Sequence, residues 1–118
     1  YYSVSAWMNF NSSIGYATNN TLNHNHPDYE WIDHGKVIDF RNGGDGVNVI
    51  DPNIFAEENG RVWLFYGSYQ AGLRAVEINP DTGKLFNEEA PELTVITPAL
   101  GEGVYILHCN DYYYIHCN

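Results

Sequence analysis

The feature that most constrains the fold is a series of short apolar runs separated by strong turn signals. Residues 53–56, 62–66 and 73–78 are three such runs. The pair Asn59-Gly60 lies between the first two, and both residue types tolerate positive φ, which makes the pair a strong hairpin signal. A turn over residues 67–72 separates the last two runs, so the sequence predicts a three-stranded antiparallel meander.

Similar but less regular patterns flank this meander. We expect strands over residues 1–7, 14–18 and 31–40, a turn at residues 79–83, a polar connector at residues 88–92, and a hairpin of residues 104–108 and 112–116 around Asn110-Asp111. Residues 1–7 begin in mid-strand without a turn or cap residue before them. We therefore expect this chain to be an internal piece of a longer protein. Residues 21–30 form a polar loop because their Asn, Pro and Asp residues oppose regular pairing. Whether the longer segment of residues 19–30 partly closes one end is left open.

The strand pattern repeats weakly along the chain. Asp51 precedes a hairpin whose second strand is residues 62–66, and Glu102 precedes one whose second strand is residues 112–116. Residues 1–5 resemble these second strands and would be a third copy of them. Repeats of short antiparallel strands are typical of propeller blades, and a β-sandwich is the alternative.

Composition and charge exclude several classes of partner. Aromatic residues make up 15% of the chain, and the net charge is -10. This charge repels phosphate backbones and anionic membrane surfaces, so we expect neither nucleic acid nor membrane as a partner. No hydrophobic run approaches the length of a membrane span.

The two cysteines do not indicate a metal site. Cys109 and Cys117 lie eight residues apart, without a CxxC pair or a His/Cys cluster at zinc-binding spacing. We favour two buried free thiols over a disulfide, and a metal site is not expected in this chain.

In its motifs the chain resembles glycoside hydrolase family 43, above all the arabinan-cleaving members. The resemblance covers essentially the whole chain. The motifs that carry it are residues 1–5 (YYSVS), 14–18 (IGYAT), 47–55 (VNVIDPNIF), 59–69 (NGRVWLFYGSY), 81–84 (DTGK), 102–106 (EGVYI) and 111–114 (DYYY).

The resemblance implies an all-β fold, namely a partial five-bladed β-propeller of about two blades plus part of a third. Residues 1–118 would then be a fragment of a single catalytic β-propeller domain. Members of the family invert the anomeric centre with a general base, a pKa-tuning aspartate and a general acid. Inverting hydrolysis needs one carboxyl group to protonate the leaving oxygen and another to activate water on the opposite face of the sugar. A fixed negative charge nearby helps the acid to keep its proton.

By match to the family's motifs, Asp51 corresponds to the tuning carboxylate and Glu102 to the general acid. The base has no counterpart here, since in the family it precedes anything in this chain. We therefore expect the isolated chain to be inactive. Asn48, Ser68, Tyr69 and Trp7 are the candidates for sugar contact, and for Trp7 a core aromatic is an equal alternative.

Two departures from the family accompany this assignment. Gly101 and Gly103 flank Glu102, so we expect a looser backbone at the acid. The family's central metal or water site uses a histidine from a later blade. The five histidines here (His24, His26, His34, His108 and His116) are interpreted instead as surface or strand residues.

The resemblance also implies the partners and the location. The substrate is plant cell-wall arabinan, the location is secreted or extracellular, and a complementary chain or the remainder of the propeller completes the fold. No cofactor is expected in this chain, and calcium is left open for the full-length propeller. The alternatives are an exo-acting arabinosidase or β-xylosidase of the same family, and a non-catalytic carbohydrate-binding or structural β-fragment.

Overall fold

The computed structural model describes residues 1–42, 46–98 and 101–118. Within these residues every regular element is a β-strand. Three antiparallel sheets follow one another along the chain, which is the arrangement of consecutive blades. The β-sandwich alternative is wrong, because each sheet is built from strands that are neighbours in sequence.

Sheet A contains β1 (Tyr2–Ser5), β2 (Ser12–Thr18) and β3 (Ile32–Asp39), in that order. The predicted hairpin of β1 and β2 is confirmed, with Ser3 opposite Ile14. β1 is shorter than predicted and ends at Ser5, after which residues 6–10 form the turn into β2.

Sheet B contains β4 (Asn53–Ala56), β5 (Val62–Ser68), β6 (Gly72–Asn79), β7 (Lys84–Leu85) and β8 (Leu93–Thr97). The predicted meander β4-β5-β6 is confirmed. The sequence did not predict β7 or β8. β8 pairs with the free edge of β6, so sheet B has the four long strands of a complete blade.

Sheet C is the hairpin of β9 (Tyr105–Cys109) and β10 (Tyr112–His116). Its turn consists of Asn110 and Asp111, both at positive φ (51° and 64°), as a two-residue hairpin turn requires. β10 is exposed along its whole length. In consequence Cys109, at the end of β9, and Cys117, just after β10, are exposed free thiols, so the prediction that they are buried is wrong.

Two apolar clusters join the sheets. We call the first interface the buried cluster between sheets A and B, formed by Ile14, Val37, Ile38, Val47, Val49, Leu64, Tyr66, Val76, Ile78 and Leu85. We call the second interface the smaller buried cluster between sheets B and C, formed by Leu73, Val104 and Ile106. The molecule is therefore packed most tightly between its first two sheets.

The segment of residues 19–31 joins the ends of β2 and β3 at the pair Thr18 and Ile32. On that side the Lys84 ammonium group donates to the carbonyl of His34, at 2.6 Å, and to those of the next two residues. The turn between β5 and β6 lies at the other end of sheet B. The segment is therefore on the side away from Asp51 and the β5–β6 turn, and it does not close the end that carries the candidate site.

Candidate active site

The candidate residues converge on one end of the sheets, which we call the site end. It is formed by residues 48–51, the β5–β6 turn of residues 68–72, and residues 101–103. The Gly67 amide donates to the Ile50 carbonyl at 3.1 Å, which joins the first two segments. The antiparallel course of the strands produces this grouping, because β4 and β9 begin at the end where β5 turns into β6.

Asp51 lies two residues before β4 in a left-handed backbone conformation, with φ of 54°. Its amide donates to the Ser3 hydroxyl at 3.0 Å, and its carboxylate Oδ2 accepts from the Gly103 amide at 3.2 Å. The side chain is partly exposed. Positive φ is uncommon for residues other than glycine and occurs often at functional sites. Asn110 and Asp111 adopt the same conformation in an ordinary hairpin turn, so the backbone of Asp51 fits a turn as well as a functional role.

Glu102 is partly exposed between two glycines at positive φ, Gly101 at 110° and Gly103 at 64°. Its amide donates to the Asn118 carbonyl, and the Asn118 amide donates back to the Glu102 carbonyl, each at 3.0 Å. Paired hydrogen bonds of this kind fix the backbone as a strand ladder does. The looser backbone expected from the glycines stays a prediction.

The structure brings the two predicted catalytic residues together through the backbone. Asp51 accepts a hydrogen bond from the residue directly after Glu102, across 52 positions of sequence. Asp51 thus ties the start of sheet B to the segment that carries the predicted acid. The assignment of their catalytic roles stays a prediction.

The four sugar-contact candidates differ in how accessible they are. Ser68 is buried and its hydroxyl donates to the Gln70 side chain, whereas Tyr69 is 60% exposed beside it. Asn48 is partly buried, and its Oδ1 has no hydrogen-bond partner among the described residues. Trp7 is 92% exposed in the β1–β2 turn, so the core alternative for Trp7 is wrong.

Three contributors to this end were not predicted from the sequence. Ser3 accepts the Asp51 amide, and Asn118 pairs with the Glu102 backbone. Asn53 accepts the Ile106 amide at 3.2 Å and so joins β4 to β9. Each bond joins residues far apart in sequence, and a polar residue in or beside a strand gives no local signal of such a partner.

No group of three or more His, Cys, Asp or Glu side chains that could hold a metal ion occurs in the described ranges. No step proposed below uses a metal. The five histidines lie in the polar loop, on strands or on the surface, as expected. Over the described residues no helix has the length and apolar character needed to cross a membrane.

Successive antiparallel sheets, of which the second and third each follow an acidic residue at the same end, form part of a β-propeller with carboxylates at its site end. Comparison with known families agrees. The model of the glycosyl hydrolases family 43 matches residues 1–118, and the chain belongs to this family.

The chain is similar to curated proteins named as an arabinofuranosidase and as an arabinan arabinosidase. It is 37% identical over 127 aligned residues to the extracellular exo-alpha-(1->5)-L-arabinofuranosidase of Cellvibrio japonicus. The alignment covers 98% of this chain and 37% of that protein. It is 30% identical over 121 residues to a probable arabinan endo-1,5-alpha-L-arabinosidase A of Emericella nidulans. That alignment covers 97% of this chain and 34% of that protein. The chain thus spans little more than a third of the length of these relatives.

Solved structures agree with the fold. The alpha-L-arabinanase of Cellvibrio cellulosa complexed with arabinohexaose superposes with a TM-score of 0.84 at 35% identity, over 96% of this chain and 40% of that one. An exo-1,5-alpha-L-arabinanase from a bovine ruminal metagenomic library superposes with a TM-score of 0.80 at 34% identity, over 96% of this chain and 38% of that one. The predicted fold class, all-β with part of a five-bladed propeller, is confirmed.

Proposed function

We propose that this chain is the part of an inverting, arabinan-degrading glycoside hydrolase that carries the general acid and the carboxylate that tunes it. Glu102 is the acid and Asp51 the tuning residue. The observation that carries the proposal is the hydrogen bond from the Gly103 amide to Asp51, made while Asp51 holds a left-handed backbone at the site end. Residues 1–118 are then one fragment of a single catalytic propeller domain.

The proposed chemistry depends on the different protonation states of the two carboxyl groups, Glu102 protonated and Asp51 charged. Glu102 protonates the glycosidic oxygen as the bond to the sugar breaks, and a third carboxylate, outside our assignment, activates water on the opposite face. Asp51 holds a negative charge close to Glu102, which opposes ionisation of the acid in the neutral range. The exposed Tyr69 and Trp7 rings offer flat surfaces for the sugar, whereas the Asn48 Oδ1 is buried and Asn48 stays a candidate contact only. Ser68 shapes the β5–β6 turn beside them.

The substrate and the location come from the relatives. Those above are named for action on arabinan, and the arabinofuranosidase and two Bacillus subtilis arabinanases are named extracellular. We therefore propose a secreted enzyme whose substrate is arabinan. Endo and exo action both occur among the relatives, so an exo-acting arabinosidase is the second candidate. That residues 1–118 are inactive alone, and completed by the remainder of the propeller or a complementary chain, stays a prediction.

The acid is tested by Glu102→Gln in a full-length enzyme carrying this chain. We expect cleavage of unactivated arabinan to fall by at least about a hundredfold, because the amide cannot donate the proton. Aryl arabinosides whose leaving group needs no proton should keep most of their rate. Glu58→Gln is the matched control, since Glu58 is exposed in the β4–β5 turn away from the site end. Equal loss on both substrates would assign Glu102 to binding instead, and no loss on either would refute the proposal.

The tuning role is tested by Asp51→Asn in the same enzyme. Asparagine tolerates the left-handed conformation about as well as aspartate, so the change removes the charge and keeps the backbone. We expect the upper limb of the pH–rate profile to move to lower pH, because the acid loses a neighbouring negative charge. Asp81→Asn, in the exposed turn at the other end of sheet B, is the control. An unmoved upper limb would return Asp51 to a structural turn role.

A further inference from the structure

The connector of residues 47–51, which leads from sheet A into β4, is held from both sides. Val47 and Val49 are fully buried in the first interface. The Val49 amide donates to the buried Ser12 hydroxyl at 2.8 Å, and the Ile50 carbonyl accepts from Gly67 at 3.1 Å. The connector therefore reaches Asp51 in a fixed position rather than as a free loop.

The last anchor of the connector is a single hydroxyl group. Ser3, in β1, accepts the Asp51 amide at 3.0 Å, across 48 positions of sequence. Ser5 lies two residues further along β1, so its side chain points to the same face of the sheet. Among the described residues the Ser5 side chain makes no hydrogen bond, which provides a matched comparison on the same strand.

This anchor matters because little else orients the Asp51 side chain. Among the described residues the Asp51 carboxylate accepts one hydrogen bond, from Gly103, and it has no ion pair. A left-handed backbone at a residue other than glycine persists only where its surroundings hold it. The hydrogen bond at the Asp51 amide fixes the position of the Asp51 backbone nitrogen. It thereby limits the direction in which the Asp51 side chain points.

We propose that Ser3 is a positioning residue for Asp51, acting through its hydroxyl on the Asp51 amide. The inference rests on the proposed tuning role of Asp51. Ser3 on sheet A thus sets how the Asp51 charge is presented to the segment of Glu102 on the approach to sheet C. Loss of the hydroxyl lets Asp51 move away from Gly103 and weakens its effect on the acid.

The test uses a full-length enzyme with five variants: Ser3→Ala, Ser3→Thr, Ser5→Ala, Asp51→Asn and the double variant Ser3→Ala with Asp51→Asn. We measure kcat, KM and the pH–rate profile on arabinan, and hydrogen exchange at the Asp51 amide. For Ser3→Ala we expect kcat to fall about two- to tenfold, as for the loss of one hydrogen bond, with KM little changed. The upper limb should move to lower pH, in the direction of Asp51→Asn, and the Asp51 amide should exchange faster.

The controls separate positioning from a general effect on the fold. Ser3→Thr keeps a hydroxyl and should restore the profile, while Ser5→Ala should match the unmodified enzyme. In the Asp51→Asn background, Ser3→Ala should move the upper limb no further, because its effect passes through the absent charge. A further shift in the double variant overturns the inference, as does a Ser3→Ala profile equal to that of Ser5→Ala while Asp51→Asn shifts. If Asp51→Asn itself leaves the profile unmoved, the proposed role of Asp51 fails and the inference on Ser3 fails with it.

Discussion

The first and second interfaces differ in how completely each buries its apolar side chains. Between sheets A and B, side chains from β2, β3, β5, β6 and β7 bury one another, and Tyr1, Tyr16 and His34 stack beside them. Between sheets B and C the buried cluster is small, and an open apolar groove remains between Phe55, Phe65 and Tyr113. A two-stranded hairpin is marginal by itself, whereas a four-stranded sheet against another sheet can form a core.

The two carboxylates of the candidate site lie at different interfaces. Asp51 is attached to the tightly packed side through Ser3 and the buried connector, whereas Glu102 is attached to the lightly packed side through Asn118. Within the described residues more apolar side-chain surface is buried on the Asp51 side than on the Glu102 side. The hydrogen bond between Gly103 and Asp51 links the two sides of the site.

The largest difference is expected from truncating one core residue in each interface. Leu64 is fully buried in the first interface, and Ile106 is 5% exposed in the second. For Leu64→Ala we expect the free energy of unfolding of the chain to fall by about 4 kcal/mol, and for Ile106→Ala by about 2 kcal/mol, because an open groove lets the cavity relax. Urea denaturation at one protein concentration measures both. Equal losses would show that the two interfaces stabilise the chain alike.

The second comparison uses two glycines at positive φ. A Cβ at Gly83 would collide with the Tyr16 ring, which is stacked between Tyr1 and His34, whereas a Cβ at Gly60 would meet nothing within 4 Å. Gly60→Ala should cost about 1 kcal/mol of stability for the left-handed conformation alone. Gly83→Ala should cost about 3 kcal/mol because of the added overlap. A Gly83→Ala variant as stable as Gly60→Ala would mean that the aromatic stack gives way easily.

Much of the fold is readable from local pattern, but the contacts that build the site are not. The bounds of β4 and β10 agree residue for residue with prediction, because alternation and turn residues define both strands. β8 was missed because no tight turn joins it to β6, its partner, and β7 and a polar connector intervene. The left-handed backbone of Asp51 and its bonds to Ser3 and Gly103 depend on sheet packing, which no local spacing encodes.

The third prediction concerns Asp39 at the end of β3. Its carboxylate binds Arg41, in the segment that leads from β3 toward the connector. Arg41 and, secondarily, Lys36 hydrogen-bond to Asp39 and hold the pKa of its carboxyl group well below the usual range. The Asp39 side chain is 8% exposed, and its Oδ2 lies 2.6 Å from Arg41 Nη2. Because the folded-state pKa is lowered, its stabilisation is present above the unfolded pKa of about 3.9 and is lost as the pH falls through the folded value.

Asp39→Asn should therefore lower the free energy of unfolding by about 2 kcal/mol at neutral pH. The difference from the unmodified chain should shrink steadily as the pH falls below about 4. Urea denaturation over a pH series measures it. Glu77→Gln, in the exposed pair with Arg61, is the control and should have little effect. A deficit that does not depend on pH would mean that Asp39 acts through its shape rather than its charge.

The smallest effect is expected from removing a single hydroxyl group at the first interface. The Tyr1 hydroxyl donates to the Gly83 carbonyl at 2.8 Å and so joins sheet A to the turn before β7. Tyr1→Phe keeps the stacked ring and should cost about 1 kcal/mol, the usual worth of one hydrogen bond. Tyr112→Phe is the control in sheet C, because its ring is 68% exposed and no hydrogen bond of its hydroxyl occurs in the described residues. It should leave stability unchanged.

The same pair of variants gives a signature at alkaline pH. Burial, together with the neighbouring Tyr16, raises the pKa of Tyr1 to about 12. Since the folded-state pKa is raised, the contribution of the Tyr1 hydroxyl is fully present below the unfolded pKa of about 10 and is lost as the pH rises toward the folded value. The deficit of Tyr1→Phe relative to the unmodified chain should therefore shrink between about pH 10 and pH 12. If the deficit instead persists unchanged across this range, folding does not raise the pKa of Tyr1. If Tyr1→Phe shows no deficit at neutral pH, the hydroxyl group does not hold sheet A to sheet B at this point, and the difference between the interfaces rests on apolar packing alone.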